Sequence, residues 1–339
     1  MSPKHVTMDQ IAREAGVSRT TVSFVLNNTP NKNIPEATRQ RVLEAAQRLG
    51  YYESFPVDQK LIAFVMHQTS EQIAQDALLG EVLRGLSGAI EPHGYHVGLF
   101  SMPLDSPTHY LDLVMTRRPQ GIVLSGPIIK DSEELRVLQE RGIPTVIQGQ
   151  VENPEIYCVD VDNVHGAYIA VRHLLELDHR RIAMITNSPS LYTASEERLR
   201  GYRRALAEYG VEEDERLVRY GAFTSASGYA AMQEILSAAG EPPSAVFAAS
   251  DVVALGAIQA IRQAGLQIPD DISLVGFDDI PLAPFLSPPL TTVRIFAADL
   301  GRHAGQVLMG LILGQGNQPR RIFLDSLLKI RESTRHYQG

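Results

Sequence analysis

Two rhythms of apolar positions run along this 339-residue chain. Over the first 50 residues apolar side chains recur at helical spacing: Met8, Ile11, Ala12 and Ala15, then Val22, Val25 and Leu26, then Val42, Leu43, Ala46 and Leu49. The punctuation agrees with three short helices. Thr7 and Gln10 stand three apart as a capping box, in which the hydroxyl accepts from the Gln10 amide and the Gln10 side chain reaches back. Gly16 ends the first helix in a tight turn that Val17 continues, and Ser18 is a good N-cap for the second. Pro35 suits the first turn of the third helix and Gly50 its C-terminal cap. Two short helices joined by a glycine turn make a helix-turn-helix pattern, and the third completes an all-α head over residues 1–50.

From Leu61 the rhythm changes. LIAFVM, YHVGLF, GIVLSG, PTVIQG, RIAMIT, AVFAAS and ISLVGF are short continuous apolar runs, read as buried parallel strands. Amphipathic stretches such as GEVLRGLSGAIEPHG, GAYIAVRHLLELD, RLRGYRRALAEYG and VVALGAIQAIRQAG lie between them. The alternation predicts doubly wound α/β architecture. An early and a late group of strands predicts two lobes with a cleft, and ligands favour the C-terminal ends of such strands.

The second predicted helix splits into faces. Arg19, Thr20, Ser23, Phe24 and Asn27 fall on one outward side, opposite the apolar stripe. Arg19 can donate two bonds to guanine, Thr20 or Ser23 can touch bases or phosphates, and an aromatic ring can meet thymine methyls. Packing of Phe24 on a neighbouring domain is the other reading. Charge supports a polyanionic partner: the whole chain carries −8, the first 50 residues +3, and the remainder therefore −11.

Composition narrows the class. The length suits about two domains at about 150 residues each. The hydrophobic share of 44% and charged share of 21% are those of a soluble globular protein. No apolar stretch approaches the roughly 18–20 residues of a membrane span, and MSPKHVTMDQ has no apolar core for a secretory signal. The single Cys158 has no partner for a disulfide or a cysteine-based metal site. A reduced, cytoplasmic protein is expected, without membrane contact, metal or cofactor. No phosphate-cradling glycine loop, Gly-x-Ser-x-Gly elbow or His-Glu-x-x-His is present, and Asp278-Asp279 reads better as a hydroxyl-binding or turn-capping pair than as a catalytic one. An enzyme is not expected. A transport-type binding protein fits poorly with the missing signal peptide and the helical head.

VTMDQIAREAGVSRTTVSFVLNN and IPEATRQRVLEAAQRLGY resemble the N-terminal head of the lactose-repressor (LacI/GalR) family of bacterial transcription regulators. VDNVHGAYIAVRHLLELDHRRIAMIT, ERLRGYRRALAEYG, AVFAASDVVALGAIQAIRQAGLQIPDDISLVGFDDIPLAPFLSPPLTTV and LLKIRES resemble its body, which is similar to periplasmic sugar-binding proteins. The resemblance implies base reading by Arg19, Thr20 and Phe24, and phosphate contacts by Thr7, Ser18, Thr21, Ser23 and Asn27. It places His67, Arg198, Phe223, Ser250 and Asp278 against an effector, which sugar chemistry also favours through charged two-pronged groups and a flat apolar surface. Arg198 and Asp278 read alternatively as a lobe-linking salt bridge, and His67 as a cap on its strand. The implied lobes are residues 61–160 with 294–322, and 161–293 with 323–339.

Some positions depart from the family pattern. The linker, residues 51–60, is short, holds Pro56 and lacks the Ala-Arg-x-Leu of the family's hinge helix. Gly149 stands where an acid is usual, Ile295 where a Gln is usual, Ser250 where an Asn is common, and Asp178 where a Gly is usual. Asp tolerates the left-handed conformation, so the last is structurally neutral. The implied partners are a near-palindromic double-stranded DNA operator, a small carbohydrate-like effector and a second copy of the chain, because one head reads a half-site weakly. The tail after LLKIRES holds no heptads that would add a tetramer. The expected function is an effector-responsive transcriptional repressor; the alternative is a cytoplasmic small-molecule binding protein whose DNA binding is weakened by the atypical linker.

Overall fold

The computed structural model describes residues 6–26, 34–49, 51, 60–102, 110–128, 132–238 and 240–338. Asn27 and most of the linker, including Phe55 and Pro56, lie outside these residues. The elements in chain order are α1 (Met8–Ala15), α2 (Arg19–Leu26), α3 (Glu36–Leu49), β1 (Leu61–Met66), α4 (Ser70–Gln75), α5 (Leu79–Ile90), β2 (His96–Ser101), α6 (Tyr110–Arg117), β3 (Gly121–Ser125), α7 (Ser132–Glu140) and β4 (Thr145–Gln148). There follow β5 (Tyr157–Val161), α8 (Asn163–Glu176), β6 (Ile182–Ile185), α9 (Thr193–Glu208), β7 (Val218–Arg219), α10 (Ser225–Ser237) and β8 (Ala245–Ala248). The chain ends with α11 (Asp251–Gln263), β9 (Ser273–Asp278), β10 (Thr291–Arg294), α12 (Ala297–Ile312), β11 (Arg321–Leu324) and β12 (Leu327–Lys329).

Two compact units form: residues 1–60 with 108–120, and residues 61–107 with 121–339. In the first, the capping box closes as expected. The Gln10 side-chain oxygen accepts from the Thr7 amide at 2.7 Å, and the Thr7 hydroxyl accepts from the Gln10 amide. Gly16 takes φ +66°, the left-handed turn that glycine favours. Ile11, Ala12, Ala15, Val22, Val25, Val42, Ala45 and Ala46 form the core with Tyr51. Leu43, expected inside, is only half-buried, and the smaller Ala45 is buried in α3. The unit also takes in α6, and Arg118 just beyond it donates to the Leu26 carbonyl at 2.9 Å.

The second unit holds two six-stranded sheets, ordered β11-β5-β4-β3-β1-β2 and β12-β10-β9-β8-β6-β7. The first is parallel throughout. The second is parallel except for its edge, where β12 pairs antiparallel with β10, Val293 opposite Leu328. Among the described strands that edge is the one departure from the all-parallel expectation. Period-2 alternation sorts the second sheet's two faces: Ala183, Ile185, Val246 and Ala248 join the core beneath α10 and α11, and Ile182, Met184, Ala245 and Phe247 the core beneath α8 and α9. The first sheet packs Ile62, Phe64, Val123 and Val146 against α5 and α12. Its edge strand β11 runs to Leu324, so the expected return to the second lobe at residue 323 falls inside a first-sheet strand.

Glycine lets the helix pairs approach to backbone contact. A Cβ on Gly301 of α12 would sit 1.9 Å from the Val82 carbonyl oxygen of α5, and one on Gly256 of α11 would sit 1.8 Å from the Ser225 carbonyl oxygen of α10. Asp178 takes φ +66°, the left-handed conformation expected of it. No helix among the described residues is long and apolar enough to cross a membrane.

Candidate DNA-reading face and effector cleft

On α2 the residues expected to read bases divide by exposure. Arg19 and Thr20 are exposed, whereas Ser23, Phe24 and Thr21 are half-buried. Arg19 lies 3.8 Å from the Asp9 carboxylate, a weak surface pair that biases the guanidinium without consuming it. Two residues expected at phosphates, Thr7 and Ser18, are also caps, and a third, Thr21, bonds to one of them. Ser18 Oγ accepts the Thr21 amide at 3.0 Å and shares a 2.8 Å hydrogen bond with Thr21 Oγ1, while Thr7 closes the box on α1. Their hydroxyls therefore hold two helix N-termini in place, and those termini carry the partial positive charge that suits a phosphate.

In the second unit a cleft of about 1030 Å³, its open mouth included, lies at the C-terminal ends of both sheets' strands. Met66 and Gln68 border it from β1, Ser125 from β3, Gln148 from β4, Asn187 and Ser188 from β6, Ser250 from β8 and Asp278 from β9. Arg198, Phe223, Ser250 and Asp278 all line it, so four residues spread over 81 positions of sequence converge. His67 does not. Its Nδ1 is 3.0 Å from the Met102 carbonyl oxygen and its ring is buried there, which makes it the strand-end cap of the alternative reading, while the adjacent Gln68 faces the cleft.

The second-lobe wall is tightly held. Arg198 Nε donates to Asn163 Oδ1 at 2.9 Å, its Nη1 donates to the Ala249 carbonyl and lies 3.8 Å from Asp278, and the guanidinium stacks 3.8 Å from the Phe277 ring centroid. The Asn163 amide in turn donates to Asp160 at 3.0 Å and to Glu197 at 3.1 Å. The Ser250 hydroxyl and the Asp251 amide at the start of α11 lie beside Asp278 and favour its charged form. Burial nevertheless pushes its carboxyl up to about 7, with Arg198 opposing and Asp76 adding to the rise. Burial, reinforced by Glu197, pushes Asp160 up to about 8. Two cleft residues take positive φ without being glycine, Phe223 at +63° and Asp278 at +115°, a strain that the surrounding bonds must hold. The Phe223 ring meets Tyr192 edge-on, centroids 4.8 Å apart.

Tyr192 and Gln72 span the lobes. The Tyr192 hydroxyl donates to the His67 carbonyl at 2.5 Å, and Gln72 Nε2 donates to the Ala222 carbonyl at 3.3 Å. Neither residue was singled out from the sequence, nor were Asp76, Gln68, Gln148, Asn187 and Ser188. A signal existed for the last four, because each stands at or just beyond the end of a predicted strand, where this architecture puts ligands. Gly149 explains one departure from the family pattern. Its φ is +135° and a Cβ would sit 2.3 Å from Pro127 Cδ, so an acid has no room there, and Gln148 supplies the polar group. Ile295, the other departure, lines the cleft as an apolar contact. Among the described residues no group of three or more His, Cys, Asp or Glu side chains is placed to hold a metal ion.

A helix-turn-helix head joined to a two-lobed α/β body with a polar cleft defines the class of ligand-responsive, DNA-binding regulators. Residues 7–54 match the model for bacterial regulatory proteins of the lacI family, and residues 171–334 that for a periplasmic binding protein-like domain. The chain is 33% identical over 336 residues to the HTH-type transcriptional regulator CelR of Thermobifida fusca, covering 96% of this chain and 98% of that one. It superimposes on a CelR–cellobiose complex with a TM-score of 0.75 at 34% identity, covering 97% and 99% of the two chains. It also superimposes on the Lac repressor dimer bound to operator and the anti-inducer ONPF, at TM-score 0.69 and 26% identity, covering 98% and 100%. The chain belongs to the lacI family of bacterial regulatory proteins: it is a sequence-specific DNA-binding transcriptional regulator, not an enzyme.

Proposed function

We propose that this chain is a repressor that binds a near-palindromic operator as a homodimer, and that a carbohydrate or carbohydrate derivative held between the lobes sets its affinity for DNA. The convergence of Arg198, Phe223, Ser250 and Asp278 on one cleft carries the reading, since together they supply hydroxyl-binding groups and an aromatic ring. The relatives support it by name: one is a complex with cellobiose, another a repressor dimer on its operator. In this reading residues 1–50 are the reading head. Arg19, Thr20 and Phe24 meet bases, and Thr7, Ser18, Thr21, Ser23 and Asn27 meet phosphates. Residues 61–339 bind effector and dimerise.

Selection of genomic DNA fragments by the purified full-length protein at fixed, moderate salt, followed by sequencing, tests the DNA half. A shared near-palindrome is the expected result. Anisotropy titrations of that operator, with cellobiose, maltose, trehalose and sucrose added in turn, then test the effector half. Failure to enrich any sequence, with saccharide binding intact, would favour the small-molecule binding protein with DNA binding weakened by its short linker.

A further inference from the structure

The cleft is unevenly supplied with charge. Its described lining holds two carboxylates, Asp76 and Asp278, and one cation, Arg198. That cation is already committed to Asn163, the Ala249 carbonyl and Asp278. Asp76 stands just before α5 in the first lobe, and one of its oxygens, Oδ1, accepts the Leu78 and Leu79 amides at 2.9 and 3.0 Å. Asp278 closes β9 in the second lobe and feels the charge of Asp76. The two acids thus face one ligand volume from opposite lobes.

Orphaned polar atoms in the same volume point to the ligand. Gln68 Oε1, Gln148 Oε1, Asn187 Oδ1 and Ser188 Oγ are buried without a hydrogen-bond partner, and all four residues line the cleft. Ser188 is fully buried, while Gln68 and Asn187 are each 8% exposed. Buried polar atoms without partners are costly, so a cluster of them on residues that line one cavity points to groups that a ligand entering it can satisfy. They come from both lobes, so the ligand must be large enough to reach both. Tyr192, Phe223, Leu78 and Ile280 supply the apolar surface beside them.

We infer that Asp76 and Asp278 form a two-lobed acidic clamp that admits uncharged, hydroxyl-rich saccharides and rejects phosphorylated or carboxylated ones. The inference rests on the saccharide reading above and narrows it. A hydroxyl donates to a carboxylate and to the orphaned oxygens alike. A phosphate brought between these two acids finds no uncommitted cation among the described lining residues, and a buried anion left without one is costly whether the acids beside it are ionised or hold a proton.

Titration calorimetry of the full-length protein with matched pairs tests it: cellobiose against cellobiose 6-phosphate, trehalose against trehalose 6-phosphate, and cellobiose against cellobionate. The expected result is that whichever neutral sugar binds does so at least 100-fold more tightly than its anionic counterpart. Asp76→Asn keeps an oxygen for the Leu78 and Leu79 amides and should narrow that gap at least tenfold. Asp278→Asn is the second variant should the first fail to fold. An anionic member that binds as well as its neutral partner would overturn the clamp and leave the saccharide reading standing. An unchanged gap in both variants would also overturn the clamp. Binding of no saccharide of either kind would overturn both readings.

Discussion

The two walls of the cleft are built in different ways. Behind the second-lobe wall lies a bonded lattice in which Asp160, Asn163, Glu197, Arg198 and Asp278 hold one another, while Asn187 and Ser188 each carry a buried oxygen with no partner. On the first-lobe wall Gln68 and Gln148 each carry a buried oxygen with no partner, and Asp76 is anchored through one oxygen. The residues expected from the sequence divide the same way: four of five reach the cleft, all on the second lobe, and the first-lobe candidate His67 is turned away. Polar groups spent on one another serve as a fixed template, and unspent groups gain their order from the ligand. The bonded template therefore lies in the second lobe, and both lobes hold unspent groups.

The comparison can be broken at its foundations first. Gly301→Leu in the first lobe and Gly256→Leu in the second each drive a side chain into a facing backbone carbonyl. Each should lower unfolding free energy by about 4 kcal/mol or prevent folding, as urea denaturation would register. Next, Arg198→Ala strips the second-lobe lattice of its buried cation and should cost about 3–5 kcal/mol together with effector binding. A loss of binding with stability unchanged would mean that the lattice is not the template.

A third prediction concerns pH. Burial holds Asp278 at about 7 in the fold against an ordinary 3.8, so the native state keeps its proton where the unfolded chain has lost it. The contribution of this group to stability is full below about pH 4 and is lost as pH rises through 7. Asp278→Asn should therefore show a shallower fall in unfolding free energy between pH 4 and pH 7 than the parent protein. Tyr192→Phe removes the hydroxyl that joins the lobes and should weaken effector binding by about 1 kcal/mol, roughly fivefold, in calorimetry. The smallest effect separates two neighbours. His67→Gln should leave effector affinity within about twofold, whereas Gln68→Ala should cost about 1–3 kcal/mol, the range for a buried hydrogen-bonding group lost.

The fold was legible because its signals are local. The capping box of Thr7 and Gln10, the glycine turn at Gly16 and seven apolar runs each speak within a few residues, and each stands in the structure. The strand β5 was missed because YCVDV carries an acid, Asp160, which breaks the run of apolar residues although it is buried in the fold. The short β7 offered two residues, too few for any period. In the site, resemblance picked out the second lobe's residues, where the chain holds close to its family. It said less of the first lobe, where Gly149 and Ile295 depart from it.

By itself the sequence determined what side-chain period and caps can determine: a three-helix head, a two-lobed α/β body, and the ends of strands as the place for a ligand. Only the tertiary structure decided which of two adjacent residues, His67 or Gln68, enters the cleft. A side chain's direction at a strand end follows from whichever hydrogen bond it finds, and His67 finds Met102, 35 residues away. The pairing of Asp76 with Asp278, 202 residues apart, was likewise decided in three dimensions. Charges act through space, and nothing in their local sequence states which acid another will face.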